Sequence, residues 1–540
     1  MPFVDGSHAM PAEHRQVIVA SSLGALFEWY DFYLVGVLAP VFAQQFFGGP
    51  GEGAALAASL LAFAAAFVVR PVGALLFGRL GDLIGRKYTF LATLVLMGAA
   101  TFAIGLLPGY DTIGLAAPVL LVLLRLLQGL AIGGEYGGVA TYVAEHAPRG
   151  RRGFYTGWIQ TTASLGLLMA LLASVGLRSL LGEQAFVAWG WRLPFLSALV
   201  LLVLGIWVRL RLKESPLYRQ LKRSGGASRK PLTEAFGQWH NLRLVLIALF
   251  GLVAGQAVVW YTGHFQALFF LTLHLKVDEM AAAWMLSVAL LFASPLFIVF
   301  GAWSDRIGRK PIILTGCVLA AASWMPLFDA LAVAANPGLV QAQQRVAVNL
   351  HAEPRDCAWH LTSMAQSSPM HACEVVKQLL SERAVRYTMV AHDGPVSVSV
   401  DGRTVEASVD LASTRDHLDA ALDGAGYPRQ ADPSRVDHLR VIGILFVLIV
   451  FVAMVYGPIA AMLVEMFPTR LRCSSVSLPY HLGNGWFGGL LPSASLAVSA
   501  QTGQLASGLW VPIAVALASA LIGAVFLREV KGNSVDAALR

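Results

Sequence analysis

Long apolar runs, each about the 20 residues that span roughly 30 Å of hydrocarbon, alternate with short polar loops along most of the chain. They fall near 17–41, 54–79, 88–107, 113–142, 153–177 and 187–210, before a polar, basic stretch at 211–242. Six more follow, near 243–271, 281–303, 311–334, 441–464, 475–500 and 507–527. The pattern predicts an all-α membrane protein of twelve transmembrane helices, arranged as two pseudo-symmetric six-helix bundles. One interval breaks the rhythm. From Ala335 to about Arg440 the chain is polar, with 13 Asp/Glu against 10 Lys/Arg. Within it, Pro395 to Val409 alternates about Asp401-Gly402, a hairpin signal, and Cys373 to Leu380 reads as the start of a short helix. A small α+β insertion is expected there. The division is therefore 1–212 (first bundle), 213–242 (central loop), 243–334 and 441–540 (second bundle), and 335–440 (insertion).

The two halves repeat each other, a relation that decides the fold before any single residue does. Gly78-Arg-Leu-Gly-Asp82-Leu-Ile-Gly85-Arg86-Lys87 follows the second run and returns as Gly301-Ala-Trp-Ser-Asp305-Arg-Ile-Gly308-Arg309-Lys310, 223 residues later. Glu145-x-x-Pro148-x-x-x-Arg152 after the fourth run returns as Glu465-x-x-Pro468-x-x-x-Arg472 after the tenth. The second offset is larger by about 97 residues, which measures the insertion. These loops suit gating. Asp82 and Asp305 can pair with an Arg on a neighbouring helix end, Arg152 and Arg472 being candidates, to latch one conformation. The gating set is Gly78, Asp82, Arg86, Glu145, Arg152, Gly301, Asp305, Arg309, Glu465 and Arg472.

Composition agrees with a polytopic membrane protein: 56% hydrophobic and 13% charged, with 52 glycines and a mean hydropathy of +0.64. The net charge of +7 is no nucleic-acid signal, because the cations are spread over short loops. With both termini on one side, that side's loops hold 23 Lys/Arg, and the other side, insertion apart, holds Arg178 and Lys276. The positive-inside rule puts both termini, the central loop and both repeated loops in the cytoplasm, and the insertion outside. Met1 to Arg15 lacks the build of a cleaved signal peptide. Cys357 and Cys373 share the oxidising side, so a disulfide between them is one expectation and two free thiols the other. No metal cluster, phosphate loop or catalytic triad is found, so neither an enzyme, a metal site nor an ATP-driven pump is expected.

Charged and polar groups inside the apolar runs mark a pathway. Glu28 and Asp31 share a helix face, and two neighbouring carboxylates do not both ionise cheaply, so the pair is suited to exchange a proton. The alternative is a static pairing with Arg70 or Arg125. Arg125 suits an anionic group or a carboxylate partner. Glu135, among glycines, is either a third proton site or a permanently paired acid. The expected proton-coupling set is Glu28, Asp31, Arg125 and Glu135. For substrate, the candidates are Trp29, Tyr30, Tyr33, Arg70, Arg125, Gln128, Gln256, Trp260, Tyr261, His264 and Asn484. Of these, Gln256, Trp260 and His264 recur every four residues, as along a cavity wall.

These motifs resemble the major facilitator superfamily and, within it, the metabolite:proton symporters. The two GxxxDxxGRK loops and Arg125-x-x-Gln128-Gly129 are similar to the superfamily's loop and fourth-helix motifs. Gly24 to Tyr33, Gly133-Gly-Glu135-Tyr136, Trp189-Gly-Trp191-Arg192-Leu-Pro194-Phe195 and Lys213-Glu-Ser-Pro216 are similar to the subgroup's signatures. The resemblance implies proton-coupled uptake of an organic acid such as α-ketoglutarate, citrate or shikimate, or alternatively of proline or betaine. It implies an inner (plasma) membrane monomer, with the proton as coupling ion and no cofactor. A receptor that senses ligand through the insertion is the reading of a different class.

Overall fold

The computed structural model describes residues 12–48, 52–148, 150–210, 230–353, 372–407 and 410–531, together with Arg219, Gln220, Arg223, Ser228 and Cys357. The side chain of Arg86 lies outside these described residues, as does most of the central loop. The first bundle contains α1 (Ala12–Val37, continued after a 62° bend as Ala39–Phe46), α2 (Glu52–Ile84) and α3 (Arg86–Leu106). It is completed by α4 (Ala116–His146), α5 (Arg152–Leu181) and α6 (Arg192–Leu210). The second holds α7 (Trp239–His274), α8 (Glu279–Ile307), α9 (Arg309–Ala335), α10 (His438–Met466) and α12 (Ser507–Phe526). Between the last two lies α11, built from Arg472–Leu482, Gly483–Gly489 and Leu491–Thr502.

Ten of these helices are long and apolar enough to cross a membrane, eleven with the bent α1. The twelfth, α11, is the most polar, carrying buried Ser474, Ser475, Ser477, His481 and Asn484. Outward faces are greasy: Leu199, Val203 and Leu204 on α6, and Leu517, Leu521 and Val525 on α12, are exposed. Those faces suit lipid, where backbone polar groups must be satisfied inside the helix itself. The expected spans therefore stand, with ends displaced by a few residues. The π-helical stretches were not foreseen. They interrupt α7 at Leu249–Val253, Thr262–Gln266 and Phe270–His274, and α11 at Gly483–Gly489. Such bulges concentrate at functional sites.

The repeated loops turn alike. Gly85 and Gly308 sit at φ 115° and 106°, a region side chains disfavour, and so turn α2 into α3 and α8 into α9.

The insertion is a four-stranded sheet of order β2-β1-β3-β4. Its strands are β1 (Val348–Ala352), β2 (Thr388–Ala391), β3 (Ser397–Val400) and β4 (Arg403–Glu406). β1 and β2 run parallel, joined through the helix Ala372–Glu382, and the other pairs are antiparallel. Asp401 and Gly402 make the tight turn of β3–β4 with φ 49° and 82°. Cys357 and Cys373 form a disulfide with Cα atoms 5.6 Å apart. The insertion sits on the second bundle: Lys377 Nζ donates to Gln501 (2.9 Å), and Tyr387 Oη to the Ala500 carbonyl (2.6 Å).

Candidate functional site

Six charged groups of the first bundle are deeply buried, Arg209 among them in the last turn of α6 near the motif end. Glu28, Asp31, Arg70, Arg125, Glu135 and Arg209 are each 5% exposed or less. A buried charge is tolerated only when paired or otherwise solvated, so the partner of each is informative.

Arg125, on α4, is locked. Its guanidinium donates to Gln128 Oε1 (2.7 Å) and to the carbonyls of Phe32 (3.4 Å) and Phe63 (3.2 Å). Gln128 in turn donates to Thr101 (2.7 Å). In this state Arg125 and Gln128, both expected at the substrate, are turned to each other and to the backbone, leaving Arg125 Nε without a hydrogen bond.

Arg70, on α2, is the opposite case. It is fully buried, and its three guanidinium nitrogens make no well-formed hydrogen bond among the described residues, the Tyr261 hydroxyl being a looser side-chain contact. Trp29, Phe32 and Phe67 ring it at 5.4–5.6 Å, giving cation–π contact but no countercharge. Tyr33, Tyr261, Tyr456, Tyr480 and His481 lie within reach of its charge. His481, fully buried on α11, leaves both ring nitrogens unpartnered. Asp31 Oδ1 is likewise buried without a hydrogen bond.

Glu28 is paired with neither expected arginine. Arg209 Nη2 contacts Glu28 at 2.8 Å and Glu135 at 3.0 Å, while Nη1 donates to the Phe90 carbonyl at 2.7 Å. Arg209, at the edge of the basic stretch, is not among the residues expected of the site. It is 2% exposed on α6, facing the bundle beside Phe195, Ala198 and Gly205. That small-residue face, continued one turn, was the available signal.

The second bundle contributes neutral polar and aromatic groups. Rings stack from α1 to α7 in the series Trp29, Tyr33, Trp260 and His264, with centroids 5.3, 5.4 and 4.2 Å apart. His264 meets Ser164 of α5 (3.1 Å) and the Trp260 carbonyl (2.8 Å). Tyr261 packs edge-on against Phe67 at 5.6 Å. Gln256 and Asn484 exchange amide hydrogen bonds at 3.3 and 3.2 Å, so their expected substrate contacts are in this state made to each other. Tyr136 and Tyr480 stack across the bundles at 3.3 Å. Tyr30, expected at the substrate, turns instead to the Pro194 carbonyl of α6 (3.5 Å).

At the end of the bundles bearing the repeated loops, both copies bind the opposite bundle in the same way. Asp82 accepts from the Cys473 and Ser474 amides (3.3 and 3.0 Å) and the Ser474 hydroxyl (2.7 Å), at the start of α11. Asp305 accepts from the Gly153 and Phe154 amides (2.8 and 2.9 Å), at the start of α5. Each aspartate thus caps a helix N-terminus, a favoured place for negative charge. Gly78 and Gly301 allow these approaches: a Cβ on Gly301 would stand 2.4 Å from the Gly153 carbonyl oxygen. The arginines expected to meet the aspartates cross over to glutamates. Arg472 pairs with Glu145 (2.9 Å) and Arg152 with Glu465 (3.3 Å). Arg309 joins Asp305 (3.0 Å) and Glu465 (2.9 Å).

The insertion end is closed more lightly. Arg178 of α5 reaches Glu279 of α8 (3.2 Å) and Glu183 (3.1 Å). Beneath that contact lies a cavity of about 50 Å³ between α1, α5, α7 and α8.

The proton:xylose symporter XylE, solved with 6-bromo-6-deoxy-D-glucose, matches with a TM-score of 0.63 at 15% identity, covering 98% of this chain and 100% of that one. The fold is that of a major facilitator superfamily transporter. The family described as "Sugar (and other) transporter" matches residues 17–242. The alpha-ketoglutarate permease of Escherichia coli (strain K12) is 37% identical over 322 residues, 59% of this chain and 72% of that protein. The glycine betaine/proline/ectoine/pipecolic acid transporter OusA of Dickeya dadantii (strain 3937) is 36% identical over 319 residues, 56% of this chain. The matched stretch spans 62% of that relative's length. The chain belongs to this family of multi-pass membrane transporters, within its metabolite-permease branch.

Proposed function

We propose that this chain is a secondary active transporter that takes up a small organic carboxylate together with a proton, by alternating access between its two bundles. The observation that carries the reading is Arg70, a fully buried guanidinium with no carboxylate partner among the described residues and only a loose contact to the Tyr261 hydroxyl. An unpaired buried cation is costly, and a substrate carboxylate is the bidentate group that would satisfy it. Asp31 supplies the other half. Its carboxylate is buried without a countercharge in contact, so a proton on Asp31 and an anion on Arg70 together keep the chamber neutral. Substrate and proton then load as a pair, with Glu28 beside Asp31 on the same helix face. Proton and substrate are released where the motif-end latches open. We place that end in the cytoplasm of a plasma-membrane protein, on the loop charges. No cofactor is required, and a monomer suffices.

Proline or betaine is the second reading. The stacked Trp29, Tyr33 and Trp260 offer faces that attract a quaternary or secondary ammonium, while Arg70 still takes the carboxylate. Uptake into proteoliposomes of labelled α-ketoglutarate, citrate, shikimate, proline and glycine betaine, acidic outside, decides. Accumulation of an organic acid that collapses with a protonophore supports the first reading. Accumulation of betaine or proline alone moves the assignment to the second. Accumulation of none of them contradicts both.

A further inference from the structure

The Glu28–Arg209–Glu135 cluster is not explained by the substrate chamber. It lies on the motif side of that chamber, on α1, α6 and α4, and its three side chains are 2, 2 and 5% exposed. One nitrogen, Arg209 Nη2, serves both carboxylates, holding them within about 6 Å of each other, the range over which like charges govern each other's protonation. One guanidinium neutralises one carboxylate. The second is left as an excess buried charge, which a shared proton removes at least cost.

Among the described residues, the surroundings supply no other cation in contact. From α1, Glu28 is joined by Asp31, a further acid that interacts with it. From α4, Arg125 is turned to Gln128 and to the carbonyls of Phe32 and Phe63. From α3, Phe90 gives a carbonyl to Arg209, and Lys87 Nζ donates to the Leu210 carbonyl (2.9 Å). From α2 and α11, Asp82 is engaged with Cys473 and Ser474. Room for the guanidinium is built in: a Cβ on Gly24 would come 2.8 Å from Arg209 Nη2.

A second observation gives the cluster a direction. A cavity of about 10 Å³, roughly the room one water needs, touches Glu135 and is lined also by Gly78, Gly81, Thr89, Cys473 and Ser477. Gly78 and Gly81 belong to the first repeated loop, and Cys473 bears an amide that Asp82 holds. The water-sized space thus joins Glu135 to the latch between α2 and α11.

We propose that Glu28 and Glu135 share one proton across Arg209 and form the branch through which the co-transported proton leaves to the motif side, Arg209 being its positioning residue. The proposal rests on the transport reading above. The proton released from Asp31 passes to the Glu28/Glu135 pair, one turn along α1. As it arrives, when the Asp82 latch opens, the proton the pair already shared leaves Glu135 for water in the cavity, so the pair holds one proton, and one negative charge compensated by Arg209, before and after. No bond other than those to the proton is made or broken.

The test compares Glu28→Gln and Glu135→Gln in proteoliposomes, with the substrate the wild type accumulates, reading both proton-driven accumulation and substrate exchange at equal pH. A glutamine leaves one carboxylate, which Arg209 keeps charged, so either variant removes the exchangeable proton. Both should lower accumulation to the equilibrium ratio while exchange stays within about threefold of wild type, and the two should behave alike. Arg209→Lys, which keeps the charge, should retain partial accumulation and show a shifted pH profile of efflux. Either glutamine variant accumulating like wild type would overturn the proposal. So would accumulation and exchange falling in the same proportion in both variants while Arg209→Lys leaves the efflux profile unmoved, since that is the signature of a merely structural cluster. Failure of the wild type itself to accumulate any substrate would instead contradict the transport reading.

Discussion

The two bundles share a backbone plan but not a chemistry. Apart from its latch residues and Arg178 the first holds six buried charges, whereas in the second the charged side chains described as buried are Asp305, Arg309, Glu465 and Arg472 at the motif end and Lys377 in the insertion. By the 223-residue offset of the repeat Asp31 and Arg70 fall on Ala254 and Ala293, and the second bundle's buried Gln256, His264 and Asn484 are neutral, paired with one another or with the first bundle. A neutral wall costs little to expose when the bundles part. A charged wall must find new partners, so its energy depends on whether substrate and proton are present. On the proposed transport reading, the difference assigns coupling to the first bundle and leaves the second to shape the chamber. The latches, by contrast, are nearly symmetric, as expected for parts that hold both bundles together at one end.

Predictions that break or sharpen this division run from large to small. Asp31→Asn should lower proton-driven accumulation by about 100-fold or more, as loss of a proton-transferring group does. Uptake under an imposed pH gradient measures it. Arg70→Ala should raise KM by about 30-fold or more, because truncating one member of a buried charge pair costs about 2–5 kcal/mol. Substrate-dependence curves check it, and Arg70→Lys should recover only part, lacking the planar fork. Asp82→Asn and Asp305→Asn should each shift the conformer ratio toward the motif-open state by about 5- to 30-fold, the effect of 1–2 kcal/mol in a helix cap. Distances between spin labels across the motif end report it. A large effect from one copy and none from the other would break the symmetry argued for the latches.

In the second bundle, Gln256→Leu or His264→Gln should change KM by about two- to tenfold, the size of a neutral hydrogen bond. The accumulation ratio should be unchanged. Loss of coupling in either variant would place part of the proton path in the second bundle.

The insertion should matter least to flux. Cys357→Ser should weaken its fold by about 2–4 kcal/mol, as loss of a disulfide typically does, and leave uptake within about twofold. Its electrostatics give a pH signature. Arg429 and Arg383 beside Asp423 hold that carboxyl down to about 2. A depressed carboxylate stabilises above its unfolded value, so this contribution is intact above about pH 4 and is lost as pH falls through about 2. Acid unfolding of Asp423→Asn should therefore lack that step.

Most of this architecture was legible in the sequence because its signals are long-range repeats and apolar runs. Glu28, Asp31 and Arg70 stood out as charges in greasy helices. The latches were found by their recurrence, but not their pairing: whether Asp82 meets a guanidinium or a helix-terminal amide depends on how α2 approaches α11. By sequence, Arg125 is expected in both a coupling and a substrate role and Arg70 in a substrate role alone, and only packing shows that Gln128 and two carbonyls occupy Arg125. Arg209 was hidden by Arg211 and Lys213, which gave it the look of a loop cation. The π-helical stretches change which α7 residues share a face, and no periodicity in the sequence announces them.

The central claim is that a carboxylate on Arg70 and a proton on Asp31 bind as a neutral pair. The direct test is proton uptake on adding substrate to purified protein in weakly buffered solution with a pH indicator. The account predicts that wild type takes up one proton per bound carboxylate and that Asp31→Asn binds substrate without taking up any. Substrate binding to wild type with no proton uptake, or equal uptake by Asp31→Asn, would contradict it.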